Sequence, residues 1–382
     1  MLERLVKIFT SLRLTVTLLG LGAVLVFWGT LAQVDLGLYK AQNEFFRSFI
    51  IFWHPAGAGW RIPIFPGGYL VGGLLLINLF SAHLRYYQPG KKKYGIIMIH
   101  LGIVLLLLGQ LLTDLLSNES FMHVREGAAK NFSEASRDFE LAVIDTTDTD
   151  SDKVVAIPGR LLGMRGEISH PEMPFRIKVK TIYSHSALSE EPREGYAPVN
   201  TTAGFGAKIW WRELPHVTVM EDKDIPSGIV ELATPQAALG TFLVSGFLTR
   251  PQEFEHNGRS YRMELRPTRS YKPFSLRLLE FRFDRYPGTD TPKNYSSRVR
   301  VQRPDTGEDR EVLIKMNSPL RYAGETFYQA SFDKDDEKGT VLQVVHNPSW
   351  LTPYFSCVLV AAGMIYQFLS HLIAFATKRK TA

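Results

Sequence analysis

The run from Tyr94 to Thr113 constrains this chain more than any other stretch: twenty residues pass without an Asp, Glu, Lys or Arg. At ~1.5 Å rise per residue, a helix of that length crosses a hydrocarbon core of roughly 30 Å. Three further runs share the character: Leu14–Val34, Ile62–Leu84 and Leu351–Ala374. The first exceeds the apolar region of a cleaved signal peptide and ends in Phe27-Trp28-Gly29-Thr30, so it reads as a retained helix. Between the first two runs, residues 39–53 are aromatic and weakly charged, which predicts a short helix lying in the membrane interface. The expectation is an integral membrane protein with four spans, about 14–34, 62–84, 94–113 and 351–374.

Charge then orients the spans. The N-terminus, the 85–93 link and the C-terminal tail hold ten Lys+Arg against one acid, Glu3. The loop after the first span holds only Lys40, Arg47 and Arg61 as basic residues. By the positive-inside rule both termini are cytoplasmic and residues 117–349 lie outside. That polar region carries 31 Lys+Arg against 34 Asp+Glu, so the net +6 of the chain belongs to the membrane flanks. A nucleic-acid face is therefore not expected. The chain divides into 1–116 with three spans, an extracytoplasmic 117–349, and 350–382 with the last span and a basic tail.

The outer region reads as β structure, a sandwich or open barrel. Phe175, Ile177 and Val179 alternate with Arg176, Lys178 and Lys180, and Tyr261, Met263 and Leu265 alternate with Arg262, Glu264 and Arg266. Within Ser275–Asp284 the phase changes after Leu278, which predicts a β-bulge. Asn257-Gly258 and Pro304-Asp305-Thr306-Gly307 predict hairpin turns, Asp145–Asp152 an exposed turn, and Ser184–Gly206 a long, mobile loop. No repeat is evident.

Histidine and cysteine usage narrows the chemistry. The lone Cys357 excludes any intrachain disulfide, CxxC pair or CxxCH site. His123, His170, His185, His216, His256 and His346 are irregularly spaced in the outer region and read as surface or packing residues, and His54 as a residue at the membrane surface. His83, His100 and His371 lie within spans, all toward the cytoplasmic side, where three helices could bring imidazoles to one depth. His100 sits about six residues beyond the lysines at 91–93, ~9 Å into the membrane. It is either a neutral histidine bonded to a neighbouring helix or a metal or haem ligand. His83 and His371 read first as interface residues. Asp114 is an interface residue by position, and Trp210-Trp211-Arg212 a core or rim pair. No nucleophile motif, phosphate loop or acidic pair supports a hydrolase or a kinase.

The chain resembles the ResB/CcsB family of System II cytochrome c biogenesis. Ser11-Leu12-Arg13-Leu14-Thr15 and Gly29-Thr30-Leu31-Ala32-Gln33 resemble its first helix. The more specific motifs are Leu279–Gly288, Pro292–Ser297, Met316–Gly324, Phe327–Phe332 and His346-Asn347-Pro348-Ser349-Trp350. The resemblance covers nearly the whole chain. It implies pairing with a ResC/CcsA-type protein, haem export, and presentation of reduced haem b to apocytochrome c thiols. The chain would be non-enzymatic alone and part of a holocytochrome c synthase complex. It implies that His100 is a haem axial ligand, with His83 or His371 as further candidates. The outer region is compact and lacks a cysteine, unlike larger members. A di-haem cytochrome b-type carrier and a cofactor-free membrane scaffold are the alternative readings.

Overall fold

A computed structural model describes residues 2–53, 55, 60–86, 93–164, 166–217, 222–289, 292–333 and 338–381. His54, Lys91 and Lys92 lie outside the described residues. The described residues form two compact units, those up to 118 and from 347 onward in one and those of 119–217 and 222–346 in the other.

The helical unit contains four helices long and apolar enough to cross a membrane: Leu12–Leu36, Gly68–Tyr86, Tyr94–Leu116 and Thr352–Thr381. A short amphipathic helix, Leu2–Phe9, precedes the first. Ser11 caps the first long helix, its side chain accepting from the Arg13 amide. The second long helix begins later than its hydrophobicity suggests. Residues 62–66 form a strand, β2 (Ile62–Pro66), antiparallel to β1 (Ile50–Trp53). Pro63 and Pro66 drive the residue before each into extended geometry, so no helix can start there. The 39–53 segment is likewise not one interfacial helix. A helical turn Leu38–Ala41 runs into a π-turn Gln42–Phe46, and the β-branched and aromatic Ile50–Trp53 then pairs as a strand. Trp28 is held edge-on between Phe45 and Phe65, at 5.4 and 5.9 Å, which fixes this module against the first helix.

The second unit is β-rich. Its strands are β3 (Asn118–Arg125), β4 (Ala129–Asp145), β5 (Lys153–Pro158), β6 (Glu167–Ile168), β7 (Arg176–Tyr183), β8 (Ser186–Ser189), β9 (Ala197–Pro198) and β10 (Trp210–Glu213). They continue as β11 (Ser227–Ala233), β12 (Ala238–Ser245), β13 (Gln252–His256), β14 (Arg259–Arg285), β15 (Pro292–Arg303), β16 (Glu308–Lys315), β17 (Leu320–Tyr322), β18 (Glu325–Phe332) and β19 (Gly339–His346). Eight follow the order β16-β15-β14-β4-β3-β19-β18-β17, with β13 added beside β14 and β5 beside β4. The ends of this sheet nearly meet through one bridge, Lys315 to Ser318, so it is close to a closed barrel. The other sheets are β12-β11-β7-β6 and β8-β10-β9.

Strand β14 serves two cores. Tyr261, Met263 and Leu265 from its first half pack with Phe175, Ile177 and Val230. Phe274, Leu276 and Leu278 from its second half pack with Met122, Val299 and Phe327. The phase change between them is a register shift at Leu278/Glu280 against β15. Asn257 and Gly258 both have positive φ, 51° and 72°, as a tight two-residue hairpin turn requires. Ser184–Gly206 is not a structureless loop: β8 and β9 within it pair with β10. Trp211 of that sheet is buried, 4.5 Å from Tyr183 in ring contact.

Candidate functional site

Two imidazoles meet in the helical unit. His83, near the end of the second long helix, and His100, in the third, have ring centroids 4.7 Å apart and nearly perpendicular planes. His83 Nδ1 lies 3.2 Å from the Leu79 carbonyl, which can only accept, so Nδ1 carries the proton and Nε2 presents its lone pair. His100 Nδ1 is buried without a hydrogen-bond partner. A buried, orphaned nitrogen is costly unless something else engages it.

Constant helix register brings these two rings together. The Tyr69 hydroxyl donates to Asp114 Oδ2, and Asp114 also pairs with Arg47 at 2.7 Å. Tyr69 to His83 and Asp114 to His100 are equal steps along two antiparallel helices, so one pairing enforces the other. Asp114 is therefore more than an interface residue: it ties the second and third helices and the turn before β1 into one cluster.

The first and second helices are fixed in the same way. Thr15 donates to Asn78 Oδ1 at 2.6 Å, and Asn78 Nδ2 donates to the carbonyls of Phe9 and Ser11 at 2.8 and 3.2 Å. Gly22 faces Val71 in the same register. This sets Arg13 and Arg85 within about three residues of the level of His100. The pair thus stands at the basic foot of the first two helices.

The third and fourth helices pack through glycines seven residues apart. A Cβ at Gly102 would lie 2.5 Å from Val360, one at Gly109 2.6 Å from Thr352, and one at Gly95 2.7 Å from the Gly363 carbonyl. Close backbone approach of this kind is the usual device of helix pairs in membranes. The contact also locates His371. Its level is about ten residues, roughly 15 Å, past that of His100, and its Nε2 is 2.7 Å from Gln367 Nε2. Gln367 can only donate there, so that imidazole lone pair is engaged. The three span histidines do not share one depth: His83 and His100 do, and His371 stands apart.

His83 was the residue hardest to select from sequence, because nothing local separates it from an interface histidine. The seven-residue glycine spacing and the single Asn78 in an otherwise apolar span are the sequence signals that mark these helix contacts. Among the described residues, no group of three or more His, Cys, Asp or Glu could hold a metal ion.

Comparison with known proteins adds identity to this geometry. The ResB-like family model matches residues 252–341, from β13 into β19. Protein NrfI of Wolinella succinogenes is 25% identical over 372 residues, which are 97% of this chain and 35% of NrfI. The chain thus spans about a third of the length of that relative. The family match takes in the motifs from Leu279 to Phe332, and the likeness to the relative extends along nearly all of the chain, so the chain is similar to ResB-like proteins.

Proposed function

We propose that this protein is a haem-handling component of cytochrome c maturation in a bacterial cytoplasmic membrane. Both termini face the cytoplasm, residues 117–349 face outward, and a ResC/CcsA-type chain is its partner. The match of residues 252–341 to the ResB-like family model supports the pathway, and the His83–His100 pair supports the chemistry.

Haem is the cargo. A neutral imidazole supplies one axial bond to its iron, and His100, whose buried Nδ1 lacks any other partner, is the donor from this chain. His83 stands beside it with Nδ1–H held by a backbone carbonyl, the arrangement that orients ligating histidines. The two rings meet edge to face, so one imidazole of this chain would hold the haem iron and the partner would supply the other ligand. Arg13 and Arg85, near the same level, supply positive charge for the propionates. No histidine lies in the distal halves of the apolar runs, which leaves a di-haem carrier without its second pair of ligands.

The test is the Soret band of the co-purified two-protein complex. His100→Ala removes or shifts the band, and His371→Ala leaves it unchanged. An unaltered band in His100→Ala, with protein level and partner binding intact, would sink the assignment.

A further inference from the structure

The ladder between β4 and β14 breaks in the β-rich unit. Pro267 pairs with Phe139 but Arg269 with Glu134, so residues 135–138 leave the ladder. Pro267 has no N–H to give to a partner strand, which makes this the place where pairing yields. Excursions of this kind re-aim side chains. Beside it β5 ends at Pro158, and the turn Gly159–Leu162 packs back on β4: a Cβ at Gly159 would lie 2.6 Å from the Phe139 carbonyl. These segments, the end of β7 and the approach to β11 enclose a cavity of about 550 Å³. That is inside the roughly 300–1,000 Å³ of small-molecule sites.

The floor of the cavity is apolar, formed by Phe139, Leu162, Ile182 and Leu265. All four pack in or against one buried cluster, which holds the floor rigid. Charge at the wall decides what else the cavity accepts. Asp224 has both oxygens engaged, one by the Val217 amide at 2.8 Å and one by His216 Nδ1 at 2.7 Å. Arg137 and Asp138 are chain neighbours and cancel in net charge. Arg160 sets the sign. Among the described residues its guanidinium has no hydrogen bond or ion pair, and the hydroxyls of Ser184 and Thr268 on the same wall are likewise unpaired. A guanidinium fork matches a carboxylate with two parallel bonds.

We propose that this cavity binds a small amphipathic carboxylate. Its apolar body lies on Phe139, Leu162, Ile182 and Leu265, and its carboxylate meets Arg160, with Ser184 and Thr268 as further donors. Most of these residues lie outside the 252–341 family match. The site belongs to the β-rich unit alone and stands whether or not haem is the cargo.

Gly163, on the cavity wall, supplies the reporter. Its φ of −80° suits any residue, and an added Cβ meets only the Arg160 carbonyl, at 3.8 Å. The full chain carrying Gly163→Cys and Cys357→Ser, in lipid nanodiscs, is modified with a water-soluble maleimide. Octanoate at about ten times its half-saturating concentration slows the reaction about tenfold. Octylammonium does not slow it, and Arg160→Ala removes the octanoate effect while the melting temperature holds. Deuteroporphyrin, a tetrapyrrole with two carboxylates, is the second probe: protection at lower concentration than octanoate assigns a ring as the apolar body, and the reverse order assigns an acyl chain. Absence of protection by both carboxylates would overturn the proposal. So would equal protection by octylammonium, or octanoate protection that survives Arg160→Ala.

Discussion

At the scale of single residues, two carboxylates organise the two units. Asp114 accepts from Tyr69 and pairs with Arg47, and its side chain is only 11% exposed. Asp114→Ala should cost about 1–2 kcal/mol, because Arg47 keeps water while Tyr69 loses its acceptor. Tyr69→Phe should cost less, and thermal unfolding in detergent ranks the two. In the β-rich unit Asp224 accepts from the Val217 amide at 2.8 Å and pairs with His216 Nδ1 at 2.7 Å. Burial pushes its carboxyl up, but the bonds from Val217 and His216 together outweigh that and hold it below the ordinary carboxylate value. A depressed carboxylate stabilises the fold above its unfolded pKa of about 3.9, and that contribution fades as pH falls through the lower folded value. Stability of the wild-type chain should therefore drop as pH falls below about 4 more steeply than that of Asp224→Asn, measured by denaturant midpoint. Neither carboxylate was legible as special in the sequence. Asp114 reads as a span end because Tyr69 and Arg47 lie far along the chain, and Asp224 reads as one acid among many because no local pattern marks its bonds to Val217 and His216.

At the scale of elements, the glycine spacing of the third helix decides how closely the fourth can approach. Gly102→Ala places a methyl against Val360 and the Ser356 carbonyl, an overpacking that should cost about 1–3 kcal/mol. Gly72→Ala on the second helix meets nothing within 4 Å and should gain up to about 1 kcal/mol from helix propensity alone. Melting of the two variants should move in opposite directions, and a shared direction would refute the packing account. The strands were easier to read than the helix contacts. Alternation at 175–180 and 261–266 and the bulge after Leu278 are local patterns, and local patterns survive in a sequence. In the 39–66 segment the structure differs from the sequence expectation, because hydrophobicity alone cannot tell an apolar strand from the first turns of a span. Pro63 and Pro66 are the residues that separate the two.

At the scale of the whole molecule, the large sheet is one seam short of closure. Strand β16 pairs with β15 on one side and has the single Lys315–Ser318 bridge on the other. Strand β14 is flanked by β15 and β4. Amides of β16 should exchange with solvent before those of β14, as followed by hydrogen–deuterium exchange, since a half-paired strand opens at lower free energy. By itself, the sequence determined the four apolar helices, the basic flanks and the β character of the polar region. Each of these follows from composition over a short window, where hydrophobicity and period act directly. Only the tertiary structure decided that His83 rather than His371 stands against His100. That depends on register between helices, fixed by contacts such as Tyr69 with Asp114, and no periodicity within one helix encodes its offset from another.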